Sequence, residues 1–180
     1  FKVIGLDISE HVINSLLIGK NPINDPAFND SIPNDENWNV TIDPSDAIPF
    51  CDVIIVTVPT PVLENNQPNL KYVKNAGISI FDNIDTTKSP VIILESTVYP
   101  GCTEEFCVPI LEKESQLKFN EDFFCGYSPE RINPGDKEHK IKDIVKVTSG
   151  SNKKVSIWIN DFYRSIISAG TYMAESIKIA

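Results

Sequence analysis

Short runs of apolar, mostly β-branched residues recur along this chain, and segments with apolar residues at helical spacing lie between them. Residues 1–7 (FKVIGLD) read as a short strand ending in an acid, and 52–58 (DVIIVTV) as a buried parallel strand. Residues 91–94 (VIIL), 123–127 and 144–147 read as further strands. Between them, Ser9 can cap a helix with Val12, Ile13, Leu16 and Leu17 on one face, and Gly19 can stop it. A second helix starts near Asn69, with Leu70, Val73, Ala76, Ile80, Phe81 and Ile84 on one side. A third follows Gly101, and Pro109 must start a turn of it or kink it. Val155, Trp158, Ile159, Phe162 and Ile166 mark a fourth, and a last helix is expected from near Ala174. The stretch 21–49 is rich in Asn, Asp and Pro and predicts loops and short turns.

Strands alternating with helices predict an α/β, doubly wound domain on a mostly parallel sheet. Ligands of such sheets bind beyond the carboxyl ends of the strands. The informative residues are therefore those just after Leu6, Val58, Leu94 and Tyr127.

Composition narrows the function classes. With 180 residues and 41% hydrophobic content the chain can bury one core. A formal net charge of -9 argues against nucleic acid as a partner, since phosphate binding needs clustered Lys and Arg. No apolar run reaches the length of about 18 residues that a membrane span needs, and the start has no signal-peptide pattern. Cys51, Cys102, Cys107 and Cys125 form no C-x-x-C pair, and His11 and His139 are the only histidines, so no metal site is expected. Thiols of this kind fit a reducing compartment, and the expected location is the cytoplasm.

Each strand end admits a functional and a plain structural explanation. Asp7 can accept hydrogen bonds from ribose hydroxyls and repel the extra phosphate of NADP; it can equally be a solvated acid before a helix. Thr60, in VPTP, can bond a cofactor or simply belong to a rigid turn. In ESTVYPGCT (95–103) hydroxyls, Thr97 among them, leave the strand and a Pro-Gly turn feeds a helix whose free N–H groups face the crevice. In GYSPERINPGD (126–136) Glu130 beside Arg131 on a braced loop suits chemistry or anion recognition, or a surface ion pair. No G-x-G-x-x-G fingerprint is present, and Gly5 alone does not replace it.

In this order and spacing, VPTP, ESTVYPGCTEE and GYSPERINPGD resemble the UDP-glucose/GDP-mannose dehydrogenase family. The likeness is to the branch that oxidises UDP-N-acetylhexosamines for capsule and surface polysaccharides, and it runs through to AGTYMAESIKIA. The resemblance implies a Rossmann-like NAD-binding domain over 1–173, with 174–180 starting a central helix toward a substrate domain. It implies oxidation of the sugar C6 alcohol to a carboxylate in two hydride transfers to NAD. A cysteine attacks the intermediate aldehyde, the resulting thiohemiacetal gives up the second hydride, and water then releases the acid and frees the thiol. It implies that Asp7, Thr60 and Thr97 bind the cofactor and that Thr97 helps place water. Glu130 would be the acid near the reacting carbon, and Arg131 and Ile132 would contact the nucleotide sugar.

The same resemblance predicts a fragment. The family's first strand and glycine turn belong before Phe1, and its catalytic Lys, Asn and Cys after Ala180, so the chain by itself is expected to be inactive. The full-length enzyme is expected to be a homodimer or larger, since the family usually dimerises through the central helix. Val12 stands where the family often carries a basic residue. Pro134 stands where the UDP-glucose branch usually carries a second Glu, which favours the acetylhexosamine branch. Two other readings remain at this level. One is a nucleotide-binding or interaction module without catalysis; the other is a different NAD-dependent dehydrogenase, such as a β-hydroxyacid type, against which PERINPGD argues.

Overall fold

A computed structural model describes residues 1–22, 36–85, 87–131 and 141–180. Strand β1 (Val3–Leu6) leads through the Asp7 loop into helix α1 (Glu10–Leu17), whose Val12 N–H is capped by the Ser9 hydroxyl at 3.4 Å. Strand β2 (Trp38–Thr41) pairs parallel with β1, from Val3 against Trp38 to Leu6 against Thr41. Sequence reading assigns this stretch to loops. The strand is only WNVT, set among turn formers, and it is held by its pairing with β1 and by burial of Val40 rather than by local propensity.

Strand β3 (Val53–Val56), helix α2 (Lys71–Asn83), strand β4 (Val91–Leu94), helix α3 (Val108–Ser115) and strand β5 (Phe124–Tyr127) follow as expected. Strand β6 (Lys146–Gly150), helix α4 (Lys153–Arg164) and strand β7 (Thr171–Met173) complete a five-stranded sheet in the order β3-β4-β5-β6-β7. β3, β4 and β5 are parallel, β6 is antiparallel to β5, and β7 is parallel to β6. The predicted mostly parallel α/β architecture is therefore present, divided between this sheet and the separate β1–β2 pair.

The pleat of β4 explains why helices cover both faces. Ile92 and Leu94 point to one side, into a cluster with Val73 and Ile80 of α2 and Val108 and Leu111 of α3. Ile93 points to the other, where it is fully buried against Val155, Ile159 and Tyr163 of α4. A strand buried on both faces reads as continuous hydrophobicity, which is what VIIL is. Helix α4 lies unusually close to the sheet. A Cβ at Gly126 would meet Ile159 Cδ1 at 2.3 Å and Ser149 O at 2.8 Å, and one at Gly150 would meet the Ser156 backbone nitrogen at 2.5 Å.

Three boundaries differ from the sequence reading. β6 runs later than 144–147 because Thr148 and Ser149 are buried within it: Thr148 donates to Asn160 Oδ1 at 3.2 Å and Ser149 to Tyr127 O at 2.8 Å. Hydroxyls with partners can lie in a core, so the apolar run understates the strand. Before α3, Thr103–Cys107 forms a π-helical turn in which Val108 N–H bonds Thr103 O, and Pro109 then sits in the first turn of α3. Proline is tolerated there because that N–H needs no intrahelical partner. Finally, 174–180 is a turn, not a helix. Ile179 and Ala180 N–H both bond Ser176 O at 3.2 Å, and one α-type bond does not offset the ordering of several residues.

Candidate functional site

The carboxyl ends of β3, β4 and β5 share one edge of the sheet, because these strands are parallel and in register. The loops leaving that edge are tied together. The buried Ser96 hydroxyl, just past β4, donates to Val58 O at 2.6 Å, beyond β3. Thr60 Oγ1 donates to Thr97 O at 2.6 Å. Thr60 and Thr97, singled out separately in the sequence, are thus neighbours, with the Thr97 side chain exposed. Beyond β5 the buried Ser128 hydroxyl donates to Val147 O at 2.7 Å, which fixes the start of the loop that carries Glu130 and Arg131.

Glu130 Oε1 accepts the Arg131 backbone N–H at 2.6 Å, and its Oε2 lies 3.8 Å from Lys146 Nζ. Arg131 Nη1 donates to Val145 O at 3.1 Å. Ile132 lies outside the described residues, as do the remaining residues of the string through Asp136. Asp7 stands at the end of β1, half-buried, with Oδ1 accepting Ser9 N–H at 2.8 Å. Its own N–H bonds Thr41 O at 3.3 Å, so its described hydrogen bonds stay within the β1–β2 unit rather than reaching the other site residues.

Sequence reading misses a polar cluster behind Glu130. Lys146, the first residue of β6, has only 10% of its side chain exposed. Its Nζ lies 3.2 Å from Glu95 Oε1, at the end of β4, and 5.5 Å from the centre of the Tyr163 ring. The Tyr163 hydroxyl donates to the same Glu95 oxygen. Burial pushes the Tyr163 phenol well above its ordinary range, and the Glu95 charge and hydrogen bond add to that. Tyr163 therefore stays a donor at any ordinary pH. A faint signal exists in the sequence: Tyr163 continues the Val155 and Ile159 face at i+4 spacing, and a phenol on a core face needs a partner for its hydroxyl.

The cysteines do not form a reactive centre. Cys102 and Cys125 are buried, and burial pushes the Cys125 thiol up to about 12. A hydrogen bond from Cys107 and another from Tyr99 lower the Cys102 thiol, yet its relative exposure is 0%. The shared bond raises Cys107, and burial raises Cys51. All four are free thiols. Among the described residues no group of His, Cys, Asp and Glu is placed to hold a metal ion. Among them, too, no helix is long and apolar enough to cross a membrane.

Over 130 residues, 72% of its length, the chain is 58% identical to UDP-N-acetyl-D-glucosamine 6-dehydrogenase of Pseudomonas aeruginosa and spans 30% of that protein. It is 44% identical over 179 residues to Protein CapL of Staphylococcus aureus, covering 99% of the chain and 41% of the relative. It thus spans well under half the length of these relatives. The solved structure of UDP-D-ManNAc dehydrogenase from Pyrococcus horikoshii superimposes with a TM-score of 0.82 at 26% identity, over 99% of this chain and 42% of that one. The fold is therefore Rossmann-like. Residues 1–167 match the NAD binding domain of the UDP-glucose/GDP-mannose dehydrogenase family, and the chain belongs to that family.

Proposed function

We propose that this chain is the cofactor-binding part of a longer NAD-dependent nucleotide-sugar 6-dehydrogenase, which oxidises the C6 alcohol of a UDP-N-acetylhexosamine to the uronic acid. The observation that carries the reading is the tied rim at the carboxyl edge of the sheet, which brings Thr60 against Thr97 and sets Glu130 on the adjacent loop. The fraction of each relative that the chain spans supports a longer protein. So do β1 and β3, each of which pairs on one side only among the described residues and leaves Val3, Leu6 and Ile55 exposed. In this reading residues 1–173 form the cofactor domain and 174–180 lead toward the substrate domain. The free thiols support a cytoplasmic location, and the assembled enzyme is a homodimer or larger.

The residues present fit NAD. Asp7 presents a half-exposed carboxylate at a strand end, already oriented by Ser9, where ribose hydroxyls can donate to it. Bound NAD supplies the hydride acceptor. Thr60 and Thr97 line the cofactor, with the Thr97 hydroxyl free to order water at the reacting carbon. Glu130 offers a carboxylate there to move a proton or hold that water. Arg131 and Ile132 hold the nucleotide sugar; the planar guanidinium of Arg131 suits a phosphate or carbonyl oxygen.

The test is an assay of the full-length enzyme with NAD and UDP-N-acetylglucosamine, -galactosamine or -mannosamine, following NADH and the sugar acid by mass spectrometry. The reading requires about two NADH per sugar acid formed. It also requires a large loss of kcat in Glu130→Gln. Failure of all three sugars to yield an acid would refute it.

A further inference from the structure

Behind the rim sits the one buried cation of the described core, and the proposed reaction does not yet use it. Lys146 lies between two carboxylates, 3.2 Å from Glu95 and 3.8 Å from Glu130, with side-chain exposures of 10%, 15% and 42% respectively. Glu95 is held from both sides, by the ammonium and by the Tyr163 hydroxyl. Tyr163 in turn is fixed by α4, which packs against β5 and β6 through Gly126 and Gly150. A buried ion pair is weak evidence of stability, because apolar residues of similar volume usually replace one at little cost. Its position says more. Lys146 begins β6, Glu95 ends β4, and Glu130 leaves β5, so three adjacent strands converge on one ammonium.

We propose that Lys146 is a positioning residue: anchored by Glu95 and Tyr163, its ammonium sets where the Glu130 carboxylate stands. This rests on the reading of Glu130 as the acid at the reacting carbon. The Arg131 N–H holds Oε1 from the loop itself, and Lys146 attracts Oε2 from the sheet. Between them the carboxylate has a preferred direction, although its loop is exposed. Such orientation matters because small misplacements of a reacting group cost large factors in rate. The sheet side of this arrangement is buried, and the Glu130 side is solvent-facing. The cluster thus transmits the order of the core to the carboxylate proposed to act at the reacting carbon.

The experiment is a mutant cycle in the full-length enzyme, with Lys146→Met, Lys146→Arg, Glu130→Gln and Lys146→Met/Glu130→Gln. Lys146→Met is expected to lower kcat about tenfold or more while KM for NAD stays within about threefold, and Lys146→Arg to restore most of the loss. Glu130→Gln should cost far less in the Lys146→Met background than in the wild type, since the two act as a unit. Additive effects, or an unchanged kcat in Lys146→Met, overturn the proposal. A Glu130→Gln enzyme with wild-type kcat would instead sink the role of Glu130, and with it the ground for this one. Should Lys146→Met fail to fold, Glu95→Gln carries the test. It removes the anchoring charge, keeps the volume and an acceptor for Tyr163, and must lower kcat with the same KM pattern; unchanged kcat there also overturns the proposal.

Discussion

Among the described residues the Asp7 carboxylate accepts a local hydrogen bond from Ser9 and none from a distant partner, so changing it should disturb the fold little. Its removal should therefore read out in cofactor choice. Two unit charges about 4 Å apart interact by about 1 kcal/mol in water and about 4 kcal/mol near a protein surface. In the full-length enzyme, Asp7→Ala should lower the ratio of kcat/KM for NAD over NADP at least about fivefold. An unchanged ratio would leave Asp7 as a helix-preceding acid and nothing more. The placement of Asp7, Thr60, Thr97, Glu130 and Arg131 at strand ends is legible in the sequence because each lies at or within a few residues of the end of an apolar run that reads as a strand. Lys146, Glu95 and Tyr163 are not legible as a group. Their contacts join residues 68 positions apart in the case of Tyr163 and Glu95, and no local pattern encodes such a meeting.

At the scale of elements, the closeness of α4 to the sheet is the most demanding feature. The nearest atoms to a Cβ at Gly150 are backbone: Ser156 N at 2.5 Å, and Ser156 Cα and Val155 C at 2.8 Å. Backbone cannot rotate away as a side chain can, so Gly150→Ala must push the start of α4 outward. Overpacking of this kind costs about 1–3 kcal/mol. Urea denaturation of the full-length protein should show that loss as a lower midpoint with an unchanged slope; a wild-type midpoint would mean that α4 yields freely. The buried strands and amphipathic helices were readable from hydrophobic periodicity. β2 was not, since four residues among turn formers carry no periodic signal and depend on β1 for pairing. The π turn before Pro109 was readable only as an irregularity, because proline shows that a bond is missing and not how the backbone reroutes.

For the whole molecule, the state of the thiols limits what these 180 residues can do alone. A thiohemiacetal step needs a thiolate that substrate can reach. Cys102 and Cys125 have no surface to offer, while Cys51 and Cys107 are held protonated by burial and by hydrogen bonding. The isolated chain with NAD and UDP-N-acetylglucosamine is thus expected to give no sustained rise in NADH absorbance; steady turnover would show that another group does the work of the nucleophile. What the chain would bring to the proposed longer enzyme follows from the stitched loops. Ser96 to Val58, Thr60 to Thr97 and Ser128 to Val147 are bonds that the rim makes with the protein's own backbone. A molecule docking at that edge meets a surface whose conformational freedom was given up during folding, so little further entropy is lost on contact. If that edge is the cofactor site, recognition there is preorganised, and its selectivity resides in the shape of the stitched rim.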